Sequence, residues 1–249
     1  MPYETAPIMT GRAKHTLEKI REHIYTKVAS LEVNAWRTQE PVPYERRTSG
    51  EPVVLRPGDK WGELWDCAWF RFVGSVPASA AGCKVVLLID VNGELCLVDE
   101  DGAPIQGLTN INSEFDLSLG LPGKRVVDVT ERAQGGEAVD LWADAGCNDL
   151  FGRYRSGTLK EADIAICHEE TRRLYYDYEV LLELAEHLPE QGARRTRLLH
   201  KLYEASYLLE TIDEGTVRAA RELLRPELDK KGGDPDVTVS AVGHAHIDL

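Results

Sequence analysis

The chain has 249 residues, 43% hydrophobic and 29% charged, a globular balance that suits one large domain or two modest ones. Its formal net charge of −13 and pI near 5.0 exclude nucleic-acid binding through a general basic surface and disfavour a strongly anionic membrane as partner. A neutral substrate such as a sugar is compatible with that charge, although acidity does not select one.

Met1–Thr10 lacks a basic segment followed by an apolar one, so no secretory signal is expected. No run of 18 apolar residues suggests a transmembrane helix. The five cysteines, Cys67, Cys83, Cys96, Cys147 and Cys167, are odd in number and contain no CxxC pair. They read as reduced thiols of a cytoplasmic protein, buried as small apolar residues.

Four stretches differ in pattern along the chain. In the first, residues 1–50, Leu17, Ile20, Ile24 and Val28 recur at helical spacing and predict an amphipathic helix from about Thr10 to Ala29. Pro41, Pro43 and Arg46–Gly50 predict an irregular linker after it. The second stretch, 51–167, holds short runs rich in Val, Ile, Leu and aromatics: Cys67–Val76, Lys84–Val91, Glu94–Val98, Arg125–Val129, Ala138–Ala143 and Ala162–Cys167. Turn pairs such as Asn92-Gly93, Asp101-Gly102 and Pro122-Gly123 separate them. Asn92-Gly93 predicts a two-residue hairpin. Many short strands without intervening helices predict an antiparallel β-sandwich of jelly-roll type.

The third stretch, 168–233, is a helical connector. Leu174, Tyr178, Leu181, Ala185 and Leu188 form one apolar stripe. Leu198, Leu202, Ala205 and Leu209 form a second; Val217, Ala220 and Leu224 form a third, expected to stop at Pro226. The fourth, 234–249, follows the polar run Lys230–Pro235. Val237–Val242 reads as a buried strand leading into Gly243-His244-Ala245-His246-Ile247-Asp248-Leu249. One strand cannot bury its own faces, so this stretch reads as the start of an unfinished domain. The fold class is therefore mixed β and α.

The chemistry concentrates in that last stretch. On an extended backbone, residues two apart share a side, so His246 and Asp248 project together. An imidazole nitrogen and a carboxylate oxygen suit Zn²⁺ or a similar divalent ion. A bare H-x-D is more often a polar strand end. The apolar strand before Gly243–Asp248 shifts the reading towards a metal site. Other groups read as structural. Trp61, Trp65 and Trp69 could stack on sugars, but core packing is expected for them. Asp99, Glu100 and Asp101 fit a solvated turn. Cys147 with His168 lacks any signature of a thiol catalyst. Arg153, Arg155, Arg172 and Arg173 fit surface ion pairs.

Gly243–Asp248 resembles the opening motif of glycoside hydrolase family 38, the class II α-mannosidases. Trp65–Phe72, Asp101–Thr109 and Ala145–Gly152 are similar, in order and spacing, to the cytosolic and vacuolar branch of that family. The resemblance spans roughly residues 10–249. It implies a helix and sandwich leading through helices into a catalytic barrel. By resemblance His246 and Asp248 match two metal ligands, for zinc or alternatively cobalt. His244 matches a family histidine that is not assigned as a ligand. The resemblance further implies a retaining hydrolase of terminal α-mannosides, acting on mannose-containing oligosaccharides. Its nucleophile and acid lie downstream of this segment, so the segment alone is expected to be inactive. It also implies a homo-oligomer at full length. Two rivals remain open: an amidohydrolase-like enzyme, in which His244 and His246 are the ligands, and a free-standing carbohydrate-binding sandwich.

Overall fold

The computed structural model describes residues 6–109, 123–147, 157–230, 238 and 240–243. They fall into two compact units. Glu22–Arg172 form one, and Met1–Arg21 with Arg173–Leu249 form the other. The first is a β-sandwich and the second is helical.

The sandwich contains β1 (Tyr25–Ser30), β2 (Glu32–Thr38), β3 (Glu51–Leu55), β4 (Cys67–Ser75), β5 (Val85–Asp90), β6 (Glu94–Val98), β7 (Pro104–Thr109), β8 (Val126–Thr130), β9 (Ala138–Gly146) and β10 (Glu161–Cys167). One sheet has the order β1-β10-β5-β8 and the other β3-β2-β4-β9-β6-β7, with antiparallel pairing throughout. This is the antiparallel, jelly-roll-like architecture expected from the short, turn-punctuated strands.

Strand alternation builds the core. Val33 and Ala35 of β2, Phe70 and Phe72 of β4, Leu95 and Leu97 of β6, and Ala143 and Ala145 of β9 point inwards from the larger sheet. Val85, Leu87 and Ile89 of β5, with Ala162 and Ile164 of β10, share their cluster from the smaller one. Phe70 stacks on Phe72 at 5.7 Å and meets Trp61 edge-on at 5.1 Å. Full burial of each such aromatic contributes about 1.5–3 kcal/mol. β5 reads as an unbroken apolar run because its other face is buried too. Val86 and Leu88 cluster there with Ala165 and Cys167.

The helical unit contains α1 (Ala6–Glu22), α3 (Ala193–Leu208), α4 (Glu214–Leu228) and most of α2 (Glu169–His187). The stripes of α2 and α3 are buried as their spacing predicts: Leu174, Tyr178, Leu181 and Ala185, then Leu198, Leu202 and Ala205. The Tyr178 hydroxyl donates to the Leu202 carbonyl at 2.9 Å, satisfying a buried polar group. Asp213 caps α4. Its carboxylate accepts from Gly215 N and Thr216 N, and the Thr216 hydroxyl accepts from Asp213 N.

Several expectations change. The first helix covers Ala6–Glu22, with Met9, Ala13, Thr16 and Ile20 buried, rather than running to Ala29. Val28 continues the helical spacing by coincidence, but Tyr25-Thr26-Lys27-Val28 favours extended backbone and joins β1. β1, β2 and β3 thus occupy parts of a region read as helix, linker and undivided sandwich, and β7 was likewise not picked out. Asn92-Gly93 does not close a hairpin, because β5 and β6 lie in different sheets. Asp90 Oδ1 instead accepts from Asn92 N at 2.7 Å, and Asn92 turns at φ 49°. The actual hairpin is β6–β7, turned at Asp101-Gly102. Helix α4 passes Pro226 and ends at Leu228, since a proline in a last turn removes one N–H without ending the helix at once. The strand expected at Val237–Val242 does not form at its described positions. Thr238 and Ser240–Val242 are exposed and without regular structure, Val242 being 79% exposed, and no sheet partner satisfies them among the described residues.

Candidate functional site

His244, His246 and Asp248 lie outside the described residues, as do Arg153 and Arg155. Among the described residues, no group of three or more His, Cys, Asp or Glu side chains could hold a metal ion. None of their helices is long and apolar enough to cross a membrane.

The remaining candidates separate cleanly. Asp99 Oδ1 accepts from Asp101 N at 3.0 Å and from Ala103 N at 2.8 Å, the solvated turn expected of that acidic run. Cys147 is fully buried. His168, exposed just after β10, shares its Nε2 with the Thr26 hydroxyl at 2.8 Å. Burial and the nearby His23 both lower its pKa. Neither arrangement makes a Cys–His dyad of the two. Burial, assisted by Glu169, pushes the Cys167 thiol up to about 11, the opposite of a reactive thiolate. Arg172 makes the expected surface pair, with Glu169 at 3.4 Å.

The tryptophans do not behave alike. Trp61 and Trp69 are buried as expected, and their indole N–H groups donate to Val91 O at 2.8 Å and Val42 O at 2.9 Å. Trp65 departs from the core-packing expectation: it is 61% exposed and adopts φ 73°. The left-handed region is disfavoured for a bulky side chain by about 1–2 kcal/mol. Bonds on either side impose it. Trp65 N donates to Cys147 O, Cys147 N donates to Asp66 O, and the Asp66 carboxylate accepts from Glu63 N. The loop is anchored further back, where Trp61 N donates to Gly157 O at 2.7 Å. Gly157 has φ 83°, and a Cβ there would come within 2.2 Å of Gly62 O, so glycine is required.

Beside this loop, the outward face of the larger sheet is partly covered by the segment after β2. Tyr44 packs edge-on against Trp69, and the Arg47 guanidinium sits 3.9 Å from the Tyr44 ring centroid and 4.6 Å from that of Trp142. Trp142 in turn stacks on Trp36 at 5.2 Å. Where this cover ends, at Pro41, a cavity of about 420 Å³ opens onto Cys67, Glu94, Cys96, Thr109, Asp144 and Gly146, with Leu95 and Leu108 contributing apolar surface. Register explains the gathering. Cys67, Gly146, Glu94 and Thr109 lie in one row across β4-β9-β6-β7, and Asp144 and Cys96 lie in the next row. Burial raises the Asp144 pKa, against a smaller lowering by the Ala145 backbone N–H. Burial likewise raises that of Cys67, with Asp144 adding to it. Sequence reasoning missed this cavity because its residues are brought together only by strand pairing; the one local signal was Trp65.

Comparison with known proteins adds a lineage to this geometry. The family described as "Alpha-mannosidase, jelly roll domain" matches residues 28–175. Alpha-mannosidase 2C1 of Mus musculus is 28% identical over 240 residues, covering 92% of this chain and 22% of that protein. The Homo sapiens protein of the same name is 27% identical over 232 residues, covering 87% and 21%. Alpha-mannosidase G of Dictyostelium discoideum is 23% identical over 253 residues, covering 92% and 22%. The chain thus spans about a fifth of the length of these relatives.

Proposed function

Because the chain belongs to the α-mannosidase jelly-roll family, we propose that it is the N-terminal part of a metal-dependent, retaining α-mannosidase that removes terminal mannose from oligosaccharides. The observation that carries this is the extent of the likeness. It runs beyond the sandwich, over 92% of the chain, in relatives named as α-mannosidases. In this reading the sandwich and helices support an α/β catalytic domain that begins near residue 234.

His246 and Asp248 would supply an imidazole nitrogen and a carboxylate oxygen to a divalent ion, zinc or cobalt, and that donor set suits such ions. When bound, the ion would hold hydroxyl groups of the mannose being cleaved. The two residues would supply two of its ligands, and a four-coordinate site needs further ligands from elsewhere. The proton transfers and the covalent step belong to two carboxyl groups about 5–5.5 Å apart, as retaining hydrolysis requires. In this reading both lie beyond this segment, and the 249-residue chain is expected to be inactive by itself. Its compartment in this reading is the cytoplasm, consistent with five cysteines that form no disulfide.

The test is the intact mass of the gene product from its source cells, followed by assay on an aryl α-mannoside. A mass several times 27.8 kDa, with mannose release abolished by chelation and restored by zinc or cobalt, is expected. A product near 27.8 kDa, or mannose release by the 249-residue chain itself, sinks the reading. Metal content of Asp248→Ala against His244→Ala separates it from amidohydrolase-like ligation. Here the Asp248 variant loses the metal and the His244 variant retains it.

A further inference from the structure

Trp65 contributes little to the core for so large a side chain. It is largely exposed, its neighbour Leu64 is 44% exposed, and φ 73° suits asparagine or glycine better than an indole. Strain held in place by surrounding hydrogen bonds, at a residue that adds little to the core, points to use at the surface. The Trp65 backbone also borders the cavity described above, its carbonyl lying 4.0 Å from Cys67 Sγ. Trp65 is two residues from Cys67, and its backbone bonds to Cys147, the residue after Gly146.

We propose that Trp65 and the cavity bounded by Cys67, Glu94, Cys96 and Asp144 form a binding site for a neutral saccharide, made by the sandwich alone. A volume of about 420 Å³ falls in the range of small-ligand sites, about 300–1,000 Å³. An exposed indole offers a flat apolar face to the C–H side of a pyranose. The carboxyl group of Asp144 and the hydroxyl of Thr109 offer hydrogen-bond partners for sugar hydroxyls. Pro41, Leu95 and Leu108 give the apolar remainder. The net charge of −13 disfavours an anionic ligand. A metal ion is disfavoured because no three ligating side chains converge among the described residues. The choice of mannose as the sugar to try rests on the α-mannosidase reading; the shape and chemistry of the site do not.

The experiment is a titration of the 249-residue chain with α-linked mannotriose in chelator-containing buffer, followed by the NMR signal of the Trp65 indole N–H. A saturable shift of that signal is expected, weakened about tenfold or more in Trp65→Asn, a loss of roughly 1.4 kcal/mol. Asparagine accepts the left-handed backbone, and an unchanged melting curve shows that the variant folds. Asp144→Ala should weaken binding as well. The proposal is overturned by no shift at tens of millimolar sugar, or by undiminished binding in Trp65→Asn. A lysine-rich peptide that moves the signal while mannotriose does not would overturn it too, by making the cavity an amine site. The titration needs neither metal nor catalytic carboxyls, so its failure leaves the α-mannosidase reading standing.

Discussion

The sandwich and the helical unit are held together in opposite ways. In the sandwich the regular hydrogen bonds join distant segments, as where Tyr25 pairs with Cys167 and Cys67 with Gly146. In the helical unit the backbone bonds lie within each helix, and cohesion between helices comes from apolar stripes and a few side-chain bonds, such as Tyr178 to Leu202. The sandwich concentrates its stability in a shared aromatic core, whereas the helices distribute theirs over caps and contacts worth about 1 kcal/mol each.

The largest effect should come from breaking the sandwich core. Phe70→Ala, at a fully buried ring touching Trp61 and Phe72, is expected to cost about 3–5 kcal/mol in denaturant unfolding. Tyr178→Phe leaves the Leu202 carbonyl without that donor and should cost about 1–2 kcal/mol, read in the same way. If the two costs are equal, the contrast between the units is wrong. Asp213→Ala, which removes the cap of α4, should cost about 1 kcal/mol and raise amide exchange in the first turn.

The smallest effect has the opposite sign. Burial raises the folded-state pKa of Asp144, so its ionisation opposes folding. That penalty is absent below the unfolded value near 4, and it is complete once pH exceeds the folded value. Asp144→Asn should therefore melt slightly higher than the parent protein at neutral pH and no higher at pH 3. Equal melting shifts at both pH values would remove the burial argument.

Much of this was legible in the chain because some signals are local. Leu174, Tyr178, Leu181 and Ala185 announce α2 through a period that needs no partner, and Glu94–Val98 carries its boundaries in its own turn residues. What stayed hidden depends on partners. Asn92-Gly93 has hairpin chemistry, yet sheet membership is decided by pairing of β5 with β10 and of β6 with β9. Tyr25–Val28 extends a helical stripe until β10 claims it as a strand. Trp65 differs from Trp61 and Trp69 only through bonds from Cys147 and Asp66 that no short window contains. The cavity is a product of register. The run of ligand types ending in His246 and Asp248, by contrast, is local in sequence and lies outside the described residues.

The pairing of β1 with β10 has one more consequence. Tyr25 and Cys167 are the first and last strand residues of the sandwich, and they sit side by side. The end of α1 and the beginning of α2 are therefore delivered to the same place, although the whole sandwich separates them in sequence. For an unstructured loop of that length, bringing those ends together would cost on the order of 4 kcal/mol of chain entropy. A sandwich that folds first has already met that cost, so it acts as a clasp. Since α1 precedes the sandwich in sequence and α2–α4 follow it, this closure is what brings the two sequence halves of the helical unit to one place.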